Sequence, residues 1–118
     1  MKLTADEQNE LIQKEVETFN SYLKDLSEDK LKSAQRLIER LAFMTVTLQI
    51  LEDDIKDRGP TYMFENGKQR MMIENPSQKS YNTMINRYTA AYKDLLNLLP
   101  KEVAKEADDG FDSFMRKR

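Results

Sequence analysis

A chain of 118 residues with a net charge of −2 is long enough for one domain with a modest core, and it carries no broad basic surface for nucleic acid. Hydrophobic residues make up 39% and charged residues 34%, and with only three glycines and three prolines this balance favours helices over a sandwich or a barrel. The absence of cysteine and histidine excludes disulfides, the usual zinc sites and catalytic arrangements built on histidine, so the composition does not indicate an enzyme.

Targeting and membrane signals are also lacking in the sequence. No apolar run approaches the length of a membrane span, and residues 1–6 lack the apolar region of a signal peptide. We therefore expect a soluble, intracellular protein that does not contact a membrane.

The first helix is predicted to begin after Thr4, because a threonine N-cap is followed by the acidic residues Asp6 and Glu7. Apolar residues then recur at steps of four and three and predict one buried face, formed by Ile12, Val16, Phe19, Leu23 and Leu26. Ser27 provides the next N-cap, so the first two helices are expected to form an antiparallel hairpin.

The second helix is predicted to be long and central, with Leu31 to Ile55 as its body. Its first half has one apolar face and, opposite, an aligned stripe of Lys32, Arg36 and Arg40. From Ala42 to Leu51 the helix is apolar all round, so other helices or other subunits have to cover it on more than one side. A strong stop signal follows, formed by Lys56, Arg58, Gly59 and Pro60.

Two candidate sites lie on this helix. The basic stripe of Lys32, Arg36 and Arg40 is a candidate DNA contact, and the alternative is that these cations form intrahelical ion pairs with Glu28 and Glu39. The same line continues with apolar residues that are candidates for oligomerisation, namely Phe43, Val46 and Ile50. The acidic run Glu52–Asp54 is interpreted as a solvated helix face rather than a metal site, and no cofactor is predicted.

Residues 61–73 predict a β-hairpin or an extended linker. Asn66-Gly67 between β-prone runs favours a type I′ turn, which places Glu65 opposite Lys68 and Tyr62 opposite Met71. Methionines and aromatics then occupy both faces, so Tyr62, Phe64 and Met71 are further candidates for oligomerisation. The alternative is a flexible loop between helices.

The third helix is predicted to begin with Asn75 as N-cap and Pro76 at the first position. One face carries Tyr81, Met84, Ile85, Tyr88, Tyr92, Leu95 and Leu99, which favours core or interface packing over a base-stacking platform. Pro100 is predicted to end this helix. We expect one helical domain over residues 1–107 and a C-terminal tail over residues 108–118. In the tail Phe111, Phe114 and Met115 would share one face, either folding back on the third helix or docking on a partner.

Four features occur in an order that resembles a known family. A long helix contains Arg40-Leu41-Ala42-Phe43, a β-prone linker follows Gly59, Glu74-Asn75-Pro76 opens the last long helix, and residues 109–115 precede a basic end. This arrangement, over roughly residues 30–118, resembles the short small terminase subunits of tailed bacteriophages, a family with a Glu-Asn-Pro signature. The chain departs from that pattern at Leu98-Leu99-Pro100-Lys101, where the family has a Gly-Leu-Thr-Pro-type segment.

The resemblance implies a non-catalytic subunit that forms a homo-oligomeric ring, recognises double-stranded phage DNA and delivers it to the large terminase subunit. It also implies a location in the cytoplasm of a bacterial host, during infection or from a prophage, and makes the large subunit the partner of Phe111, Phe114 and Met115. The alternative is a helical protein–protein adaptor, or a regulatory phage factor, that does not bind DNA.

Overall fold

The computed structural model describes residues 3–98 and consists there of helices and one two-stranded hairpin. In chain order the elements are α1 (Ala5–Tyr22), α2 (Glu28–Arg58), β1 (Thr61–Asn66), β2 (Gln69–Glu74) and α3 (Pro76–Leu96). Helices account for 73% of these residues, so the predicted mainly α fold with a β-hairpin before the third helix is confirmed. No helix in this part of the chain is long and apolar enough to cross a membrane. Leu99, Pro100 and the predicted tail with Phe111, Phe114 and Met115 lie outside the described residues.

The helix ends follow local sequence signals. Thr4 forms a capping box with Glu7, in which each side chain accepts a hydrogen bond from the backbone N–H of the other residue at 3.1 Å. Ser27 caps α2, and Asn75 caps α3 by accepting a 2.9 Å hydrogen bond from the Ser77 N–H. Gly59, with φ of +88°, ends α2 as predicted.

α2 is the central helix, and α1 and α3 both pack antiparallel to it. Gln35 donates a hydrogen bond to Asn20 of α1 at 3.0 Å, and the hydroxyls of Thr45 and Tyr88 on α3 lie 3.2 Å apart. The core is formed by Phe19, Leu23, Ala34, Ile38, Leu41, Leu48, Tyr88, Tyr92 and Leu95. Tyr88 and Tyr92 of the third helix are thus core residues, and the partly buried Tyr81 packs against this core, as expected from their place on the apolar face. α1 ends at Tyr22, before the predicted Leu26, but Leu26 still packs against this core from the connecting turn.

The observed register of the hairpin differs from the predicted register because the turn lies one residue further along the chain. The two loop residues are Gly67 and Lys68, so Glu65 pairs with Arg70 and Tyr62 with Ile73 instead of the predicted Lys68 and Met71. Gly67 has φ of +61°, whereas no other residue of the described turn has a positive φ. This pattern is typical of a type II′ turn, which needs glycine only at its first central position.

Candidate functional site

The hairpin exposes large apolar side chains on both faces. Phe64 and Met71 are directly opposite each other, and with Tyr62 and Ile73 they form what we call the hairpin face. Phe64 is 43% and Met71 54% exposed, and on the reverse side Met63 is 47% and Met72 62% exposed. A two-stranded hairpin is only marginally stable in water when nothing covers it, so these exposed faces indicate a binding surface.

The base of the hairpin is held by an Asp54–Arg58–Asn75 network. Arg58 donates two hydrogen bonds of 2.8 Å to the two carboxylate oxygens of Asp54, and its guanidinium lies 4.9 Å from the centre of the Tyr62 ring. Asn75 is fully buried and donates to Asp54 at 3.1 Å and to the Gly59 carbonyl at 3.0 Å. The network therefore connects the end of α2, the first strand and the start of α3, and it fixes the direction in which the hairpin leaves the helices.

Hydrogen bonding by Arg58 holds the pKa of Asp54 well below its usual range, with further contributions from Ser77 and Asn75, while partial burial acts in the opposite direction. The same pairing raises the pKa of Arg58. A carboxyl whose pKa is lowered in the folded state stabilises that state at any pH above its unfolded pKa of about 4, and this contribution is lost as the pH falls below that value.

An Asp54→Asn substitution is accordingly expected to lower the melting temperature at neutral pH, because it removes the charge that Arg58 binds. The difference from the unmodified protein should shrink as the pH falls below about 4, where the native carboxyl also begins to lose its stabilising effect. Thermal melts between neutral and acidic pH measure this. Asp57→Asn serves as the control, since it makes the same charge change at an exposed residue outside the network. Equal effects of the two substitutions at neutral pH would contradict the assigned role of Asp54.

The basic stripe of Lys32, Arg36 and Arg40 lies exposed on the first half of α2. Within residues 3–98 the ion pairs join Lys56 with Asp53, Arg58 with Asp54 and Arg70 with Glu65, and none of them includes the stripe. The alternative of intrahelical pairing with Glu28 and Glu39 is therefore not found in this fold. In the part of the chain that the structure describes, the three cations are exposed and have no paired carboxylate.

A shallow groove of about 660 Å³ lies beside the stripe and combines charge with apolar surface. We call it the basic groove, and its lining residues are Arg36, Glu39, Arg40, Phe43 and Met44. Phe43 is 52% exposed, so the groove combines a large exposed aromatic ring with the two arginines. This mixture of groups suits a ligand that carries both negative charge and apolar side chains.

The candidate oligomerisation residues fall in separate places. Tyr62, Phe64 and Met71 share the hairpin face, whereas Phe43 belongs to the basic groove. Val46 is 5% exposed, so it is buried within the single chain and does not lie on an exposed surface. Ile50 is half-buried and lines a different cavity with Leu3 and Asp54.

The two surfaces are distant from each other. Arg40 and Arg58 are 18 residues apart on one helix, which corresponds to about 27 Å along its axis. The basic stripe and the base of the hairpin therefore lie at different levels of the long helix. In the described part of the chain, acidic side chains form no group of three or more that could hold a metal ion.

Comparison with known proteins adds no relative. Protein-family models, curated proteins and solved structures all give no match to this chain.

Proposed function

We propose that this chain is a non-catalytic small subunit of a phage DNA-packaging terminase, which assembles into a homo-oligomer, binds double-stranded DNA and acts as an adaptor for the large subunit. The observation that carries the proposal is the hairpin, whose exposed aromatic and methionine side chains have no cover within the described chain. The resemblance in the order of the long helix, the β-prone linker and Glu74-Asn75-Pro76 supports the choice of family.

Self-association through the hairpin face buries the apolar side chains that a single copy leaves exposed. Phe64 and Met71 are cross-strand neighbours and present one continuous apolar patch with Tyr62 and Ile73. Aromatic residues and methionine are enriched in the buried centres of protein interfaces. Within the described residues, β1 and β2 each also have one edge that pairs with no other strand. Such an edge can accept a strand from another copy.

DNA contact in this proposal falls on Lys32, Arg36 and Arg40. Contact with phosphates requires only cations at suitable spacing, and the stripe provides three that carry no ion pair within residues 3–98. The net charge of −2 opposes tight binding by a single copy. A ring overcomes this because it presents the same small stripe many times to one DNA molecule.

A helical protein–protein adaptor without DNA binding is the second candidate, and the acidic balance of the chain favours it. Both candidates use the hairpin face. They differ in whether the basic stripe binds DNA, and salt-dependent DNA binding separates them.

Reversing the charges of Arg36 and Arg40 together to glutamate is expected to weaken DNA binding severalfold and to flatten the dependence of affinity on salt, because fewer counterions are released from the DNA. Titration of duplex DNA at several salt concentrations measures both quantities. The control is Lys14→Glu with Lys24→Glu, which changes the net charge equally at exposed positions on α1 and in the turn after it.

An unchanged affinity and salt slope in the Arg36/Arg40 variant would move the DNA site elsewhere. The next candidates are Lys79 and Arg87, which flank a smaller groove on α3, and the basic end of the chain. If the unmodified protein shows no salt-dependent DNA binding at all, the adaptor function replaces the terminase function.

A further inference from the structure

The outer edge of β2 carries backbone groups that point away from β1. The Asn75 N–H donates to the Pro60 carbonyl at 2.8 Å, which extends the ladder of the two strands by one pair in the same register. Hydrogen-bonded and non-hydrogen-bonded pairs alternate along an antiparallel ladder. Counting from this pair, the residues of β2 whose backbone groups face outward are Arg70, Met72 and Glu74, and each offers one donor and one acceptor.

This edge is open within residues 3–98. Arg70, Met72 and Glu74 are all exposed, and none of them takes part in the backbone hydrogen bonds that connect different elements there. α1 and α3 pack on α2, whereas β1 and β2 pack mainly on each other. A strand from outside can therefore pair with β2 without displacing a described helix or strand.

The side chains along the β2 edge are complementary to a second copy of the same edge. When two β2 strands run antiparallel with Met72 opposite Met72, Arg70 of each copy lies opposite Glu74 of the other. Glu74 belongs to none of the ion pairs among the described residues. Arg70 pairs with Glu65 of its own hairpin at 3.0 Å, but a guanidinium has five N–H donors and can bind a second carboxylate. Opposite charges directly across two strands stabilise their pairing.

The outer edge of β1 lacks this complementarity. Its outward residues are Thr61, Met63 and Glu65, so pairing two β1 strands about Met63 places Glu65 opposite Thr61. Pairing β1 of one copy with β2 of another, in the register found within one hairpin, places Glu65 opposite Arg70 but leaves Glu74 opposite Thr61. Of these three arrangements, β2 with β2 is the one that places opposite charges at both ends of the contact.

We infer that the β2 edge is a contact between two copies of this chain, in which the strands pair antiparallel about a two-fold axis at Met72. The two hairpins then form one four-stranded sheet, with Arg70 of each copy bound to Glu74 of the other. Both hairpin faces lie on the same side of this sheet, because side chains alternate along every strand. The inference rests on the self-association in the proposed function and specifies its strand edge and register.

Single-cysteine cross-linking measures this contact, because the chain has no cysteine of its own. Met72→Cys places one thiol opposite the same thiol of the second copy, with Cα atoms about 5.5 Å apart, within the range of a disulfide. Met63→Cys is the matched control, since Met63 lies opposite Met72 on β1 and is also exposed. In the four-stranded sheet its two copies are three strand spacings apart, about 14 Å. Under limiting oxidant we expect Met72→Cys to form covalent dimers roughly tenfold faster than Met63→Cys.

The other cross-linking results each contradict the inference. Faster cross-linking of Met63→Cys would mean that β1 pairs with β1. A disulfide that forms only when the two variants are mixed would mean that β1 of one copy pairs with β2 of the next. Equally slow cross-linking in every sample would mean that neither edge forms the contact.

Charge variants test the register independently. Glu74→Lys places like charges opposite each other at both ends of the contact, and so does Arg70→Glu, so each variant alone should self-associate severalfold more weakly. An equimolar mixture should restore the association, because the native Arg70 of one variant then faces the native Glu74 of the other, and the two introduced charges face each other. Light scattering measures the mass. Asp57→Lys makes the same charge change as Glu74→Lys at an exposed residue away from the strands and should leave the mass unchanged. A mixture as weakly associated as its components would overturn the inference.

The inference and the proposed function fail in different ways. A mass of several chains without cross-linking at position 72 would overturn the β2 contact and leave the self-association intact. Cross-linking at position 72 in a protein that binds no DNA would support the contact and contradict the terminase function. The mass of one chain together with no cross-link would overturn both.

Discussion

Replacing Phe64 and Met71 together by serine is expected to convert the proposed homo-oligomer into a monomer of 13.9 kDa. The two side chains are opposite each other at the centre of the hairpin face and are about half exposed in the single chain. Their removal takes most of the apolar area from the patch, and a few central aromatic or aliphatic anchors usually carry the binding energy of an interface. Light scattering on a size-exclusion column measures the mass.

The fold should survive this change, because α1, α2 and α3 form their core without Phe64 or Met71. Helix content and melting behaviour of the bundle check this point. Met63→Ser with Met72→Ser is the matched control, since it removes two exposed side chains from the reverse side of the same strands. The control should retain a mass well above that of the monomer. If the Phe64/Met71 variant keeps the mass of the unmodified protein, the hairpin face is not the interface.

Leu41→Ala is expected to lower the free energy of unfolding by about 3 kcal/mol, since it leaves a cavity among fully buried side chains in the centre of the bundle. Leu41 has no exposed surface and lies on α2, against which both other helices pack. Denaturant titration at one fixed protein concentration measures the change, because the proposed assembly would make the apparent stability depend on concentration.

Leu11→Ala on α1 is the control for this substitution, because the same atoms are removed from a leucine that is 39% exposed. Its expected effect is about 1 kcal/mol or less, as for most surface substitutions. Equal effects of the two substitutions would mean that the centre of α2 is not the core of the folded unit.

The helices and their ends could be predicted from the sequence because the signals for them are local. Thr4, Ser27 and Asn75 each accept a backbone hydrogen bond from two or three residues away, and Gly59 adopts the positive φ that ends α2. The hairpin itself was also predictable from the glycine between two β-prone runs. Its register was not, because Gly67 serves equally as the second residue of a type I′ turn or the first of a type II′ turn. The observed alternative pairs Glu65 with Arg70 through a 3.0 Å ion pair.

The candidate surfaces were predictable only in part. The sequence places Phe43, Val46 and Ile50 on one line along α2. The burial of each residue, however, depends on how the rest of the chain packs on this helix. Val46 is buried whereas Phe43 is 52% exposed, so the line divides into buried and exposed positions. Tyr62, Phe64 and Met71 lie on one face of the hairpin, as predicted, although their cross-strand partners differ from the predicted ones. The pairing differs by two residues, and side chains two residues apart on a strand point to the same side of the sheet.

The Asp54–Arg58–Asn75 network shows a second limit of sequence reasoning. The spacing of Asp54 and Arg58 by four residues on a helix predicts a pair between them. The contact of Asn75 with both depends on chain folding across 17 and 21 residues, and no local pattern encodes it. The Asn75 of the Glu-Asn-Pro motif thus has a structural role in this fold, as a buried cap that ties the hairpin base to the helices.

The mass of the unmodified protein in solution tests the central claim most directly, since the claim is that an uncovered apolar hairpin assembles several copies. Multi-angle light scattering at tens of micromolar, on the order of concentrations at which specific interfaces form, gives the mass without reference to shape. We expect a discrete species of several times 13.9 kDa. A single species at the mass of one chain under these conditions would contradict the account.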